Sequence, residues 1–517
     1  MGGLGGEGCV MATALQGTPA GWGFFAPTFE PKPLRAHQSA AISMLRRSLI
    51  AGNRRVVLQL PTGAGKTRTA AELISGALAK GKRVAFTVPA ISLINQTVEA
   101  FEAEGIDAIG VMQAGHSRTN RAMPVQVVSV QTLARRARPD VDMVIVDECH
   151  NQFKQISDWM AEDERRVFIG LSATPWARGM SDDWSDLIIP VTMQELIDAG
   201  FLSPFKVFAP STPDLSGVKI AKTGDYETAP LSEVMSNRTL IADVVQSWKT
   251  FGQGLPTLVF AVDRAHARTL QQQFGDAGIR MGYCDAEVDV IERQMLFSQM
   301  KRGELAGIVN IGTLTTGVDA DVRCIVLARP TKSEMLFVQM IGRALRTAPG
   351  KEHAVILDHA DNHHRLGFVT DISHGRLLSG KEKAHTTLAD KGAATPKACS
   401  SCKVMKPAGV HACPSCGFKP EHQVKAAEVE VQEGHLVEFN AKAVKHDRAE
   451  KQKFWSMANH VDQQRGKGGS LAKALYRGKF GVWPQGLDAS PIPPDGAFLS
   501  YEHSRRIAYA KGKGKTR

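Results

Sequence analysis

The chain has 517 residues, 43% hydrophobic and 22% charged, and a formal net charge of +11. That length excludes one compact core and points to two to four domains, while the lack of any run of 18 or more apolar residues argues against a membrane span. The charge is uneven: residues 441–517 hold 16 Lys+Arg against 6 Asp+Glu, leaving the rest near neutral, so the tail either meets a polyanion such as nucleic acid or is a solvated, disordered tail that aids solubility.

Residues 1–33 open Gly-rich and lack the basic start and apolar core of a secretory signal. From 34 to 205, VVLQL (56–60), RVAFTVP (83–89), VQVVSV (125–130), DMVIVDE (142–148) and RVFIGLSA (166–173) are short, β-branched and almost continuously apolar. Strands of a parallel sheet, buried on both faces, read this way. TRTAAELISGALAKG, between the first two, predicts a helix ended by Gly81. The alternation predicts an α/β domain with helices on both faces of a parallel sheet.

Between the first strand and that helix lies PTGAGKT: Pro61, Thr62, Gly63, Ala64, Gly65, Lys66 and Thr67. Glycines there let backbone N–H groups turn inward around a phosphate, and the helix start adds a positive dipole end. Lys66 is placed to reach the β- and γ-phosphates of ATP, and the Thr67 hydroxyl to ligate Mg²⁺. In VIVDECHN (144–151) an apolar strand ends in two acids. Asp147, at the ligand-binding edge of the sheet, is a second candidate for Mg²⁺, and Glu148 for the base that deprotonates an attacking water.

The strand–helix rhythm restarts over 206–370, with LPTLVFAV, GIVNIG, RCIVLARP and HAVILDHA as strands, so a second α/β domain is expected. STPDLSGVKIAKTGDYETAP (211–230) reads as a linker or surface insertion, and 371–397 as a polar connector. DHADNHHRLG (358–367) follows the last strand and is read as structural rather than as a metal or nuclease cluster. In 398–420, Cys399, Cys402, Cys413 and Cys416 are spaced C-x2-C-x10-C-x2-C. Four thiolates so arranged can close a tetrahedron around a structural Zn²⁺, as expected of a reduced intracellular protein. In the basic region 421–517, Phe454, Trp455, Tyr476, Phe480 and Trp483 alternate with Lys473, Arg477 and Lys479. They serve either base stacking or the core of a small helical domain.

In order along 34–370, PTGAGKT, VPAISLINQ (88–96), SVQTL (129–133), VDECH (146–150), LSATP (171–175), LVFAVDRAHA (258–267), TTGVDA (315–320) and QMIGRALR (339–346) resemble the motifs of superfamily 2 DEAD/DEAH-box-like helicases, in a DECH variant with Cys149 where Ala is usual. The KFGVWP tail is similar to that of phage and prophage helicases. The resemblance implies two tandem RecA-like domains with ATP in the cleft between them. It implies catalytic roles for Lys66, Asp147, Glu148, His150, Gln339, Arg343 and Arg346, the two arginines sharing a helix face and reaching the γ-phosphate. It further implies ATP contacts at Arg35, Gln38, Gly317 and Asp319, with Gln38 bonded to adenine.

The function expected is an ATP-dependent helicase or translocase on nucleic acid, DNA rather than RNA. It would work in the bacterial cytoplasm, with replication, recombination or defence proteins as candidate partners. Two alternatives stand beside it: the motor of a restriction or phage-defence complex, and a zinc-bearing DNA-binding protein with a degenerate ATP site.

Overall fold

The computed structural model describes residues 33–221, 223–315, 320–382, 387–388, 392–420 and 447–513. The chain separates into two compact units, 1–422 and 423–517.

In the first unit, strands β1 (Arg55–Gln59), β2 (Val84–Val88), β3 (Ile109–Val111), β4 (Val125–Ser129), β5 (Met143–Asp147), β6 (Val167–Ser172) and β7 (Asp186–Ile188) form one sheet in the order β3-β4-β2-β5-β6-β1-β7. Every pairing is parallel, and Val56, Val57, Leu58, Val144, Ile145 and Val146 are buried. Parallel strands need crossover helices, which cover both faces of the sheet; that is why these strands are apolar throughout rather than alternating. A second all-parallel sheet contains β8 (Phe205–Phe208), β9 (Thr257–Phe260), β10 (Met281–Cys284), β11 (Gly307–Asn310), β12 (Cys324–Leu327) and β13 (Ala354–Asp358), ordered β10-β11-β9-β12-β13-β8. These are the two tandem RecA-like domains that the sequence implies.

Three features of the molecule depart from what its sequence suggests. Strands β3, β7, β8 and β10 are additions; they are short, and pairing with a neighbour rather than local pattern makes them strands. Residues 211–230 are no bare linker. Val218 packs with Leu231, Met235 and Val262, and Asp225 accepts from Thr331 Oγ1 at 2.7 Å and from Lys332 N at 2.8 Å. The connector after 370 contains a strap that returns to the first domain. Leu377 enters the apolar cluster of Val57 and Trp184, Leu378 O accepts from Ser181 N, and His374 bonds Glu334 at 2.6 Å.

The second unit contains helices Arg448–Gln464, Ser470–Phe480 and Gly496–Lys513 around Phe454, Trp455, Tyr476 and Phe498. Most of the tail's aromatics are therefore core, whereas Trp483 is 52% exposed. No helix among the described residues is long and apolar enough to cross a membrane.

Candidate active site

The loop after β1 turns into the helix Lys66–Leu78 through Gly63 (φ 83°) and Gly65 (φ 85°), left-handed conformations that favour glycine. A Cβ on Gly63 would also lie 2.5 Å from Leu202 Cδ2. The loop is braced from behind by the helix Ala36–Ile50: His37 Nε2 bonds Ala64 O at 2.9 Å and Gln38 Nε2 donates to Ala64 O at 3.1 Å. Gln38 is thus a buried brace in this structure. Its other amide atom, Oε1, accepts from Arg35 N at 2.9 Å, so both ends of the group expected to meet adenine are engaged. Arg35 donates to Gly63 O and lies 4.3 Å from the centre of the Phe201 ring, and both side chains face the cleft. Phe201 carries no motif that would have marked it in the sequence.

Asp147 closes β5, and Glu148 next to it is left-handed (φ 48°), a conformation that costs a non-glycine residue about 1–2 kcal/mol. The turn brings Glu148 Oε1 to 2.7 Å from Lys66 Nζ. Burial opposes charge on both groups, but their mutual attraction overrides it: the Lys66 pKa is raised and that of Glu148 lowered. Asp147 differs, because burial outweighs the nearby Lys66 and lifts its carboxyl to about 6. A buried carboxylate of this kind gains from an added cation, which suits Asp147 and the neighbouring Thr67 hydroxyl as a Mg²⁺ pair.

Behind the acids, His150 Nδ1 bonds Ser172 Oγ at 2.9 Å, and Nε2 lies 3.3 Å from Gln339 Nε2. Burial lowers the His150 pKa. The neutral ring then donates from Nδ1 and accepts the Gln339 amide at Nε2. Gln339 also donates to Thr174 Oγ1 at 3.2 Å, so one amide of the second domain touches two motifs of the first. Cys149 is packing: a Cβ on Gly170 would lie 2.7 Å from its sulfur.

Gln339 belongs to the helix Glu334–Gly342, which ends sooner than the sequence suggests. Arg343 caps it, and Arg346 lies beyond it, in an antiparallel bridge with Leu202. The carbonyls there are bonded by other donors: Ser203 N to Leu345 O at 2.7 Å, Ser203 Oγ to Arg346 O at 3.2 Å, and Lys351 Nζ to the oxygens of Val322, Ala344 and Arg346 at 2.8, 2.5 and 2.7 Å. The arginines therefore share no helix face, yet both reach the cleft. Lys351, whose pKa burial pushes down to about 8, was not singled out in the sequence, since a lone lysine after Pro-Gly has no pattern to mark it.

One cavity of about 790 Å³ is lined by Arg35, Thr62, Gly63, Gly65, Lys66, Thr67, Asp147, Glu148, Gln339, Arg343 and Arg346. The domains meet closely there: a Cβ on Gly342 would come 3.0 Å from Thr62 Oγ1. A degenerate site would have lost part of this set. Pro61, Ala64, Gln38 and His150 stand behind the lining, and Gly317 and Asp319 lie outside the described residues. In the 358–367 stretch, Asp358 and His363 are buried and bonded to each other at 2.7 Å, a structural pair.

Cys399, Cys402, Cys413 and Cys416 place their sulfurs within 4.8 Å of one another, with Cys399–Cys416 at 3.8 Å and Cys402–Cys413 at 3.6 Å. A tetrahedron with metal–sulfur bonds of about 2.3 Å has edges of about 3.8 Å, so four thiolates here fit Zn²⁺. The two knuckles turn alike, with Lys403 (φ 64°) and Gly417 (φ 71°), each four positions after the leading cysteine, both left-handed. Burial raises the Cys413 pKa, but the N–H groups of Cys416 and Ser415 bring it to about 6, favouring the thiolate.

Residues 31–177 match the family model described as Type III restriction enzyme, res subunit, and residues 240–348 match the helicase conserved C-terminal domain. The chain is 27% identical to a 51.5 kDa protein of a Lactococcus phage, over 81% of this chain and 91% of that protein. It is 30% identical to the putative ATP-dependent helicase IRC3 of Saccharomyces cerevisiae, over 63% of this chain and 51% of that protein. It is 26% identical to the Type I restriction enzyme EcoKI endonuclease subunit of Escherichia coli, over 61% of this chain and 33% of that subunit. The chain thus spans most of the phage protein but about half or less of the two cellular relatives.

Proposed function

We propose that this chain is a superfamily 2 helicase and, on that premise, an ATP-driven motor on DNA, with motor domains at about 34–205 and 206–370. The observation that carries this reading is the single cavity in which Lys66, Asp147 and Glu148 of one domain face Arg343 and Arg346 of the other. The loop amides and Lys66 hold the triphosphate. Glu148 takes a proton from the attacking water, and Arg343 and Arg346 neutralise charge on the transferring phosphoryl group. Thr67 and Asp147 would hold Mg²⁺, which when bound would supply positive charge to offset that of the phosphates. The His150–Gln339 contact senses the relative position of the domains, so that turnover and closure are coupled. Arg35 and Phe201 offer a flat surface for the purine. The four cysteines hold a structural Zn²⁺.

The test is ATPase activity with single-stranded DNA, duplex DNA, forks and RNA across a salt series. Stimulation by DNA that fades steeply as salt rises supports the reading; turnover indifferent to every nucleic acid contradicts it. A second reading, a translocating motor of a restriction or defence complex, is favoured by the restriction-subunit match over 31–177. Displacement of a third strand from duplex DNA without strand separation selects it. The phage relative favours work in a bacterial cytoplasm, beside replication, recombination or defence proteins.

A further inference from the structure

The second unit contains a groove that the motor does not use. It measures about 670 Å³, within the ~300–1,000 Å³ of ligand-sized clefts, and its lining includes Arg448, Lys451, Arg477, Val482, Trp483 and Gln485. None of its lining residues is acidic. Several of the described acids of this unit have partners outside the groove's lining. Asp447 accepts from Glu450 N and Asp462 from Gly469 N and Ala472 N, Asp488 accepts from Ser490 N, Asp495 pairs with Lys453, and Glu502 pairs with Arg465. Among the described residues, the groove's own lining thus carries three cationic side chains and no carboxylate.

The aromatic is placed by the backbone. Gly481 ends the helix Ser470–Phe480 in a left-handed conformation (φ 73°), its N–H bonded to Arg477 O at 2.9 Å. The chain reverses there, and Trp483 returns over Arg477, whose guanidinium lies 4.6 Å from the indole centre. That contact fixes the plane of the ring, yet Trp483 is still 52% exposed. About half of the indole is thus left to solvent, whereas Phe454, Trp455 and Tyr476 of the same unit are buried.

We propose that this groove binds a segment of single-stranded DNA, with phosphates on Arg448, Lys451 and Arg477 and one base stacked on Trp483. It rests on the reading that the chain acts on nucleic acid, and it places a strand contact outside the motor. Stacking on an aromatic surface is worth about 1–3 kcal/mol per base and tolerates any sequence, which suits a protein that moves along its substrate.

The experiment uses the full chain and a fluorescent oligo-dT, with binding read by anisotropy in the absence of nucleotide. Trp483→Ala should weaken binding about 5- to 150-fold, and Trp483→Phe should restore most of it. Arg448→Ala with Lys451→Ala should lower the slope of log affinity against log salt by about 0.7 for each phosphate that the variant no longer neutralises. Wild-type affinity and salt slope in these variants, with an unchanged melting temperature, overturn the proposal. So does an equal loss of affinity for duplex DNA or for anionic vesicles, which would mark a general polyanion surface. The motor is scored separately by DNA-stimulated ATPase of the wild-type chain: loss of anisotropy binding in Trp483→Ala with stimulation intact in the wild type supports both readings, and no stimulation in the wild type removes the motor reading alone.

Discussion

Gly342→Ala adds one methyl group where the two motor domains touch. Gly342 is the last residue of an α-helix, and on its own account an alanine there gains up to about 1 kcal/mol of helix propensity. The new Cβ, however, would stand 3.0 Å from Thr62 Oγ1 and 3.3 Å from Thr62 Cβ, inside ordinary van der Waals separation. Relief takes a few tenths of an ångström, either from Thr62, which the phosphate loop holds, or from opening of the cleft. Arg343 is the next residue and moves with it. Displacement of a reacting group by about 1 Å can cost about 100-fold in rate, so a smaller wedge should lower kcat about 10-fold or somewhat more. The melting temperature should hold or rise. DNA-stimulated ATPase and thermal unfolding, measured on the same variant, read the two effects apart. Wild-type turnover would mean that the domains do not close on this contact; a melting temperature several degrees lower would mean that the site has no room for the methyl even in the open state.

Lys351→Met removes the donor from three carbonyls around Arg346 and should cost about 2–4 kcal/mol of stability, with turnover falling at least 10-fold while nucleotide affinity changes little; kinetics with a fluorescent nucleotide check it, and unchanged turnover would deny Lys351 a positioning role. In acid the second domain should weaken first. Burial lowers His266 and His359 to about 4, so below the unfolded value of about 6.5 the unfolded chain binds protons that the folded one refuses. Stability present above pH 6.5 is lost as pH falls toward 4, by about 3 kcal/mol for each ring, and a urea midpoint that stays flat from pH 7 to 4.5 contradicts this. Cys413→Ser should take the zinc content from one per chain to none, as read by metal analysis; an unchanged content refutes a four-sulfur site.

The strands that carry function were the legible ones. β1 and β5 are buried on both faces, so their apolar runs stand out, and the loop and acids at their ends carry chemistry that only a few residue types supply. Edge elements were not: β7 is three residues, Asp186–Ile188, and nothing local separates it from a turn. Arg343 and Arg346 stand out through the resemblance of QMIGRALR to a helicase motif, and their spacing implies a shared helix face that the structure does not have. The helix tightens instead: the N–H groups of Arg343, Ala344 and Leu345 turn to carbonyls three residues back, and Ser203 and Lys351 bond the carbonyls beyond. Gln38 shows the same limit: its type fitted adenine, and only the fold reveals the carbonyl of Ala64 at hydrogen-bond distance. The tail's aromatics fitted two readings because burial is invisible in composition; the structure buries Phe454, Trp455 and Tyr476 and leaves Trp483 at the surface.

The most direct measurement is single-turnover ATP hydrolysis by Arg343→Ala alongside equilibrium binding of a fluorescent ATP analogue. A guanidinium that meets charge developing on the phosphoryl group should leave affinity within a few-fold of wild type and slow the chemical step by about 10³-fold or more. A wild-type rate for that step would contradict a site completed by the second domain.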